Sequence, residues 1–300
     1  MKAILLTEYG DVDKLQLKDV PSPKLKKGEV RVKAAFTSIN PVDYKIRDGS
    51  AKAMFPQTFP AILGKDVAGE IVEVGEGVTG WNKGDKVLAF VDHTYAEEVA
   101  VPAAALAKVP AGLSLDQAAV LPLVTTTGAQ LIEHTNVQKG QTILVTGAVG
   151  PVGRTAVYAA KERGAKVIAG VRKKDKEKAK DLRVDSVVAI DDDAEIAALP
   201  ELDVLATTVF GDVNAKLAAR VQKGGTVGSV IGPVKGAEER GLKVSAFSAQ
   251  ANGKQLQELA EAVAKERLRI PIVKRFKLEQ IGEAHRAAEK SPGGKILITI

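Results

Sequence analysis

The chain of 300 residues has no cysteine, three histidines, two methionines and one tryptophan. Without cysteine there is no disulfide framework, no thiol nucleophile and no sulfur-bound metal. A catalytic zinc needs about three protein ligands from His, Cys, Asp or Glu, and His93, His134 and His285 stand in unrelated contexts. His93 falls in a turn. His134 ends a helical stretch, where a cation suits the helix dipole, and His285 sits in the ordinary helical setting Glu283-Ala-His-Arg-Ala-Ala. Surface or capping roles are expected of all three, and no metal site is. No apolar run approaches a membrane span, and Met1-Lys-Ala-Ile-Leu-Leu turns polar too soon for a signal peptide, so a cytoplasmic protein is expected. The net charge of +6 is mild. The densest basic run, Lys173 to Lys180, is interrupted by Asp175 and Glu177 and lacks interleaved aromatics, so nucleic acid is an unlikely partner. No internal repeat or low-complexity linker is visible.

What the chain does have is Thr142-Ile-Leu-Val-Thr-Gly-Ala-Val-Gly-Pro-Val-Gly153. Thr142 to Val145 read as a short buried strand. Gly147, Gly150 and Gly153 follow, and then Arg154 to Arg163, a helical pattern closed by Gly164. Strand, glycine turn and helix are the setting of a dinucleotide site. Gly147 would permit the tight turn, Gly150 the approach of a pyrophosphate, and Gly153 close packing of helix on strand. N–H groups at the helix start, including that of Val152, would face the phosphates. Pro151 is tolerated in a first turn but removes one of those donors. The next strand, Lys166 to Gly170, runs into Val171-Arg172-Lys173-Lys174 with no acid until Asp175. An acidic residue here suits NAD and a basic one the 2′-phosphate of NADP. Arg172 and Lys173 are therefore read as 2′-phosphate ligands and the cofactor as NADPH, against the alternative of a solvated basic helix start.

Along the chain, residues 1–108 are mostly β. Lys2–Leu6, Leu15–Val20, Glu29–Phe36, Val67–Val74, Asp85–Val91 and Tyr95–Val101 read as strands punctuated by Gly and Pro, which suggests a compact, partly open barrel. From Ser114 the period lengthens. Ser114 with Gln117 forms a capping-box pattern, and Leu123 to His134 is helical. Strands near 142–146, 166–170, 186–190, 202–207 and 225–231 then alternate with helices, as in a doubly wound parallel sheet. Leu242–Phe247 is a further strand, Gln255–Arg267 and Leu278–Lys290 are amphipathic helices, and Lys295–Ile300 is a last strand.

The markers Asn40-Pro-Val-Asp43, Arg47-Asp-Gly49, Gly64-Lys-Asp-Val-Ala-Gly69, Gly84-Asp-Lys-Val87, Tyr95-Ala-Glu-Glu98, Leu121-Pro-Leu with Thr127, the glycine turn, Gly224-Gly225 and Gly294-Lys-Ile-Leu297 occur in order. Together they resemble the medium-chain dehydrogenase/reductase superfamily, in its zinc-free quinone oxidoreductase and enone (alkenal) reductase branch. The resemblance implies an α/β protein: a GroES-like partly open β-barrel catalytic domain, 1–108 with 268–300, and a doubly wound Rossmann NADPH-binding domain, 109–267. Where zinc alcohol dehydrogenases carry Gly-His-Glu, this chain has Gly64-Lys65-Asp66. The resemblance also implies cofactor contacts at Thr127, Thr208, Val209, Phe210, Ile231, Gly232, Pro233, Gly294 and Lys295. It places Asn40, Tyr44 and Lys45 in the catalytic cleft. Lys45 could neutralise an enolate oxygen or relay a proton, and Asn40 could orient substrate or ribose, while Tyr44 is open between function and core. Asp43 is expected to hold the loop. Phe210 stands where the family often has glycine. Related proteins pair the Leu242–Phe247 edge across a two-fold axis, so a homodimer is expected.

Without zinc, hydride transfer needs an acceptor already activated by conjugation. The expected function is a zinc-independent, NADPH-dependent oxidoreductase acting on a small-molecule quinone or on the conjugated double bond of an enone or alkenal. The alternative is an NADPH-binding redox sensor or structural or regulatory protein with little turnover.

Overall fold

The computed structural model describes residues 1–291 and 293–300. The chain packs as two compact units, Met1–Leu123 with Ala251–Ile300, and Val124–Gln250.

The first unit begins with β1 (Lys2–Leu6), β2 (Leu15–Asp19) and β3 (Glu29–Ile39), then α1 (Pro41–Arg47), β4 (Ala61–Ile62), β5 (Asp66–Val74), β6 (Lys86–Phe90), β7 (Glu98–Pro102), β8 (Leu106–Lys108) and α2 (Leu115–Ala118). β3 is its spine. The antiparallel β5 runs along one side of it, and β7 pairs with its first half on the other side. The strict alternation from Val30 sends Val30, Val32 and Ala34 into one core. The last residues of the strand, Thr37 and Ser38, are fully buried and polar, so the strand delivers hydroxyls inward where α1 begins. Ser114 takes the N-cap position of α2 but makes no capping bond with its side chain. Gln117 instead donates its amide to the Ile270 carbonyl, so the expected reciprocal box does not form.

The second unit holds most of α3 (Pro122–Thr135), then β9 (Thr142–Thr146), α4 (Pro151–Glu162), β10 (Lys166–Val171), β11 (Ser186–Ala189), α5 (Asp193–Ala197), β12 (Leu202–Thr207), α6 (Val213–Ala218), β13 (Val221–Ser229) and β14 (Lys243–Ala246). Its six strands are parallel, in the order β11-β10-β9-β12-β13-β14. This is the doubly wound dinucleotide-fold order. Period two explains the unbroken apolar runs. Ile143 and Val145 enter one core while Leu144 enters the other, and Val204 and Ala206 are separated from Leu205 in the same way. Each such Val, Ile or Leu side chain fully buried contributes about 1.5–3 kcal/mol relative to exposure. Between β10 and β11 only 3-10 turns form, over Lys173–Ala179, because that charged stretch buries just Asp175 and Ala179.

The chain then returns to the first unit with α7 (Gly253–Ala264), β15 (Ile272–Lys277), α8 (Ile281–Glu289) and β16 (Lys295–Thr299). β16 joins the end of β3, and β15 adds beside it as an edge. The strand signal of β15 is weak because three of its six residues are Lys or Arg. The expected boundaries at 108/109 and 267/268 lie inside the first unit, which extends to Leu123 and resumes at Ala251. The cause is packing: α2 covers β3, β5 and β6, and α7 packs on β8.

Candidate functional site

Parallel strands put all their carboxyl ends on one edge of the second unit's sheet, and that edge gathers the residues expected to hold a dinucleotide. Gly147, just after β9, has φ +62, a backbone conformation that favours glycine. A Cβ on Gly153 would lie 2.2 Å from the Gly147 carbonyl oxygen, so only glycine lets α4 approach the turn this closely. Gly150 is the N-cap of α4 and Pro151 its first residue. Val152 and Gly153 follow, with the N–H groups that a helix start leaves without intrahelical acceptors. Thr208 pins the turn from the next strand: its N–H donates to Thr146 Oγ1 at 3.0 Å, and its hydroxyl to the Thr146 carbonyl at 2.8 Å. Its hydroxyl is thus engaged within the protein. Val209 packs against Gly147, and Phe210 is 64% exposed beyond it. Ile231, Gly232 and Pro233 follow β13 on the same edge, and Thr127 is half-buried on α3.

Arg172 and Lys173 emerge from the end of β10, both exposed. Arg172 Nε donates to Asp175 Oδ2 at 2.8 Å, and Lys173 Nζ to Asp192 Oδ2 at 3.0 Å. Asp175 is buried. Its hydrogen bond from Lys178, opposed by burial and joined by Arg172, holds its carboxyl below the usual range. Both cations are thus held in ion pairs, and the Arg172 side chain remains 55% exposed.

The first unit holds a buried polar cluster at the junction of β3, α1, β5 and β16. Asp66 is its centre, with no solvent exposure. It accepts from the Ser38 hydroxyl, from Asn40 Nδ2 at 2.7 Å, from the Leu123 N–H at 2.7 Å and from Lys295 Nζ at 3.1 Å. Lys295 also donates to Asn40 Oδ1 at 2.5 Å and to the Ile39 carbonyl at 3.2 Å. Its ammonium has three N–H groups and three acceptors. Lys295, expected among the cofactor contacts, thus has all three donors engaged within the first unit. Gly294 backs onto Pro271 and Val273, where a Cβ would meet a Val273 methyl at 2.5 Å. Asn40 is 1% exposed with both polar side-chain atoms bonded internally.

A second arm of the cluster runs through Asp43. This carboxylate accepts the Asn40 N–H at 2.7 Å and the Tyr95 hydroxyl at 3.0 Å, which holds the start of α1 as expected. Burial pushes Asp43 up to about 7 and lifts the Tyr95 phenol well above its ordinary value. His285 Nε2 lies 3.3 Å from that hydroxyl. His285 is fully buried, which corrects the expectation of a surface histidine, and burial drives its pKa down to about 3. His134 stacks on Phe247 at 4.2 Å in the second unit. His93 presents Nδ1 2.8 Å from the Ile62 carbonyl. Among the described residues, no group of three or more His, Asp or Glu side chains is placed to hold a metal ion.

Tyr44 and Lys45 are half-buried on α1, and burial raises the pKa of the first and lowers that of the second. Beside α1 the first unit opens a cavity of about 680 Å³. Ile46, Phe55 and Ile62 form part of its apolar wall, and Asp43, Lys65, Asp92 and His93 bring the titratable groups. Asn40, Tyr44 and Lys45 are not in that wall. The cavity and the Asp43–Tyr95–His285 contact were not among the sequence expectations. The markers Asn40-Pro-Val-Asp43, Gly64-Lys-Asp66 and Tyr95-Ala-Glu-Glu98 pointed to this region.

Residues 26–111 match the family described as the alcohol dehydrogenase GroES-like domain, and residues 180–298 match the one described as zinc-binding dehydrogenase. The second description meets a chain without cysteine and with Lys65 where zinc enzymes carry histidine. A chloroplast envelope quinone oxidoreductase homolog from Arabidopsis thaliana is 37% identical over 63% of this chain and 60% of its own length. An NADPH-dependent alkenal/one oxidoreductase from the same plant is 36% identical over 54% of this chain and 44% of its own length. The chain thus spans about half the length of these curated relatives. The solved quinone oxidoreductase of Coxiella burnetii superposes with a TM-score of 0.91 at 29% identity, covering 100% of this chain and 99% of that one. An alcohol dehydrogenase superfamily protein from Novosphingobium aromaticivorans superposes with a TM-score of 0.89 at 30% identity, with the same coverage.

Proposed function

The chain belongs to the alcohol dehydrogenase, or medium-chain dehydrogenase/reductase, superfamily, and from that premise we propose that it is a zinc-independent, NADPH-dependent reductase of quinones or of enones and alkenals. The observation that carries this reading is the glycine turn of the second unit, where Gly153 packs on the Gly147 carbonyl and α4 starts beneath an open edge. That cradle fits a pyrophosphate. The relatives named as a quinone oxidoreductase homolog and an NADPH-dependent alkenal/one oxidoreductase support the reaction class.

Val152 and Gly153 would bind the pyrophosphate through their N–H groups, while Arg172 and Lys173 would take a 2′-phosphate. Thr127, Val209, Phe210, Ile231, Gly232 and Pro233 are proposed as the remaining cofactor contacts. When bound, a reduced nicotinamide supplies hydride to a conjugated acceptor. The chain has two other tasks: to hold the acceptor oxygen as charge develops on it, and to return a proton. Lys45 suits the second, because burial lowers its pKa and eases release of a proton. Tyr44 would flank the substrate from the same helix. Asn40 would act through position, held by Asp66 and Lys295.

The proposal extends to a homodimer. β14 is hydrogen-bonded only to β13 in the described sheet, and Val244 is half-buried on this open edge, which supports pairing with a second copy. Cytoplasmic residence is proposed as well, for fractionation to test. Among the described residues, no helix is long and apolar enough to cross a membrane. The function is tested by following nicotinamide absorbance with NADPH against a panel of enones, alkenals and quinones. Consumption with at least one compound supports the reading. NADPH bound without consumption by any of them rejects turnover.

A further inference from the structure

Two lysines of the first unit are withdrawn from water, and they differ in what their ammonium groups meet. Lys295 satisfies all three N–H groups inside the protein. The Lys65 side chain is only 14% exposed, yet its Nζ has a single acceptor among the described residues, Asp92 Oδ1. It also lies 5.3 Å from the centre of the Phe55 ring, a favourable contact that takes up no acceptor. Lys65 lines the 680 Å³ cavity and is the one lysine or arginine among the residues that line it. A lysine normally keeps its head in water. Here two N–H groups lack an acceptor among the described residues, beside an open cavity of ligand size.

The counter-charge is arranged asymmetrically. Asp92 is 60% exposed, so water weakens its hold on the ammonium, whereas Lys65 is largely shielded. An anionic or partly anionic oxygen entering the cavity would complete the Lys65 shell. The aromatic face of Phe55 and the side chain of Ile62 suit a flat apolar body attached to that oxygen. We propose that Lys65 is a catalytic residue that receives the carbonyl oxygen of a conjugated substrate in this cavity and holds it as the oxygen gains charge. This rests on the reductase reading above. Lys65 makes and breaks no covalent bond. Its hydrogen bond strengthens as the carbonyl oxygen becomes an enolate or hydroquinone oxygen, so it favours the reduced species over the bound substrate. Asp92 is the positioning residue that sets the ammonium over Phe55 and moderates its charge.

The test uses the full chain without cofactor and 4-nitrophenol, whose phenolate mimics an enolate and is read by its absorbance. In the parent protein, the bound phenol should ionise about one pH unit or more below the free one, a preference of about tenfold or more for the anion. Lys65→Met should remove that shift, and Lys65→Arg should keep part of it. Asp92→Asn, at an exposed position, should deepen it. Asp43, Asp92 and His93 also face the cavity, and they remain in place in the comparison of parent with Lys65→Met. Circular dichroism of each variant establishes that it is folded. No shift in the parent, or an equal shift in parent and folded Lys65→Met, overturns the proposal. With a substrate that consumes NADPH, Lys65→Met should lower kcat about 10²-fold with little change in KM. An unchanged kcat overturns the catalytic role. The nitrophenol arm needs no turnover, so failure of the reductase reading is seen separately, in the NADPH panel.

Discussion

Exchanging Asp43 for asparagine tests whether the buried carboxyl keeps its proton in the folded protein. Burial pushes its pKa from 3.8 up to about 7. His285 moves the other way, from 6.5 down to about 3, because burial disfavours its charged form and Arg47 adds to the effect. Each shift has its own window. The folded protein holds the Asp43 proton longer than the unfolded chain does, so stability is lost as pH rises from about 3.8 through about 7. The unfolded chain takes up the His285 proton first, so stability is lost as pH falls from about 6.5 through about 3. Where the windows overlap, the two slopes nearly cancel. The Asp43→Asn side chain keeps an oxygen for both the Asn40 N–H and the Tyr95 hydroxyl, which reach the same carboxyl oxygen in the parent. What it loses is the titration. One proton is worth about 1.4 kcal/mol per pH unit. Relative to the parent, the variant should therefore gain about 2 kcal/mol between about pH 4.5 and about pH 6. Urea denaturation of both proteins at matched pH measures this, and the difference removes the common contribution of Asp66, Lys295 and Arg47 around the cluster. Stability profiles that stay parallel across the window refute the protonated carboxyl.

Four further outcomes are expected. NADPH should bind much more tightly than NADH, and Arg172→Ala should erase most of the gap in a calorimetric titration; equal affinities in the parent sink the 2′-phosphate reading. Lys45→Ala should lower enone turnover about 10²-fold and leave NADPH affinity unchanged, and steady-state kinetics that show full turnover remove Lys45 from the mechanism. The protein should purify without stoichiometric zinc and keep its activity in a strong chelator; zinc found by elemental analysis together with loss on chelation overturns metal independence. Light scattering at micromolar concentration should return the mass of a dimer, and a monomer mass rejects pairing through β14.

What was legible in the sequence is what is local. Strands buried on both faces must be apolar without interruption, so β9, β10 and β12 showed themselves as runs of Ile, Val and Leu and were placed to within one residue. The glycine turn was legible because its steric demand falls on residues six apart, Gly147 and Gly153. β15 was not, since an edge strand rich in Lys and Arg has neither the alternation nor the apolar run. The compact units divide at other positions than the expected domain boundaries because α2 and α7 are helices by period but join the strand-rich unit by packing, which no periodicity records.

Three of the lysines of the first unit carry the same lesson into the site. Lys65 and Lys295 stand in family markers and Lys45 lies between two of them, and by residue type all were open to a role with a ligand. Their fates are decided by acceptors far away in sequence. Lys295 meets Asp66 across 229 positions and Asn40 across 255, which turns it into a buried strut. Removing such a partner leaves an unpaired charge in the core, a cost of about 3–5 kcal/mol. Lys65 meets Asp92 only 27 positions on and, among the described residues, no other acceptor, with a cavity beside it. The distinction between a lysine that holds the fold and a lysine that awaits an oxygen is thus a count of acceptors in three dimensions, and it is visible only once β3, β5 and β16 have brought their ends together.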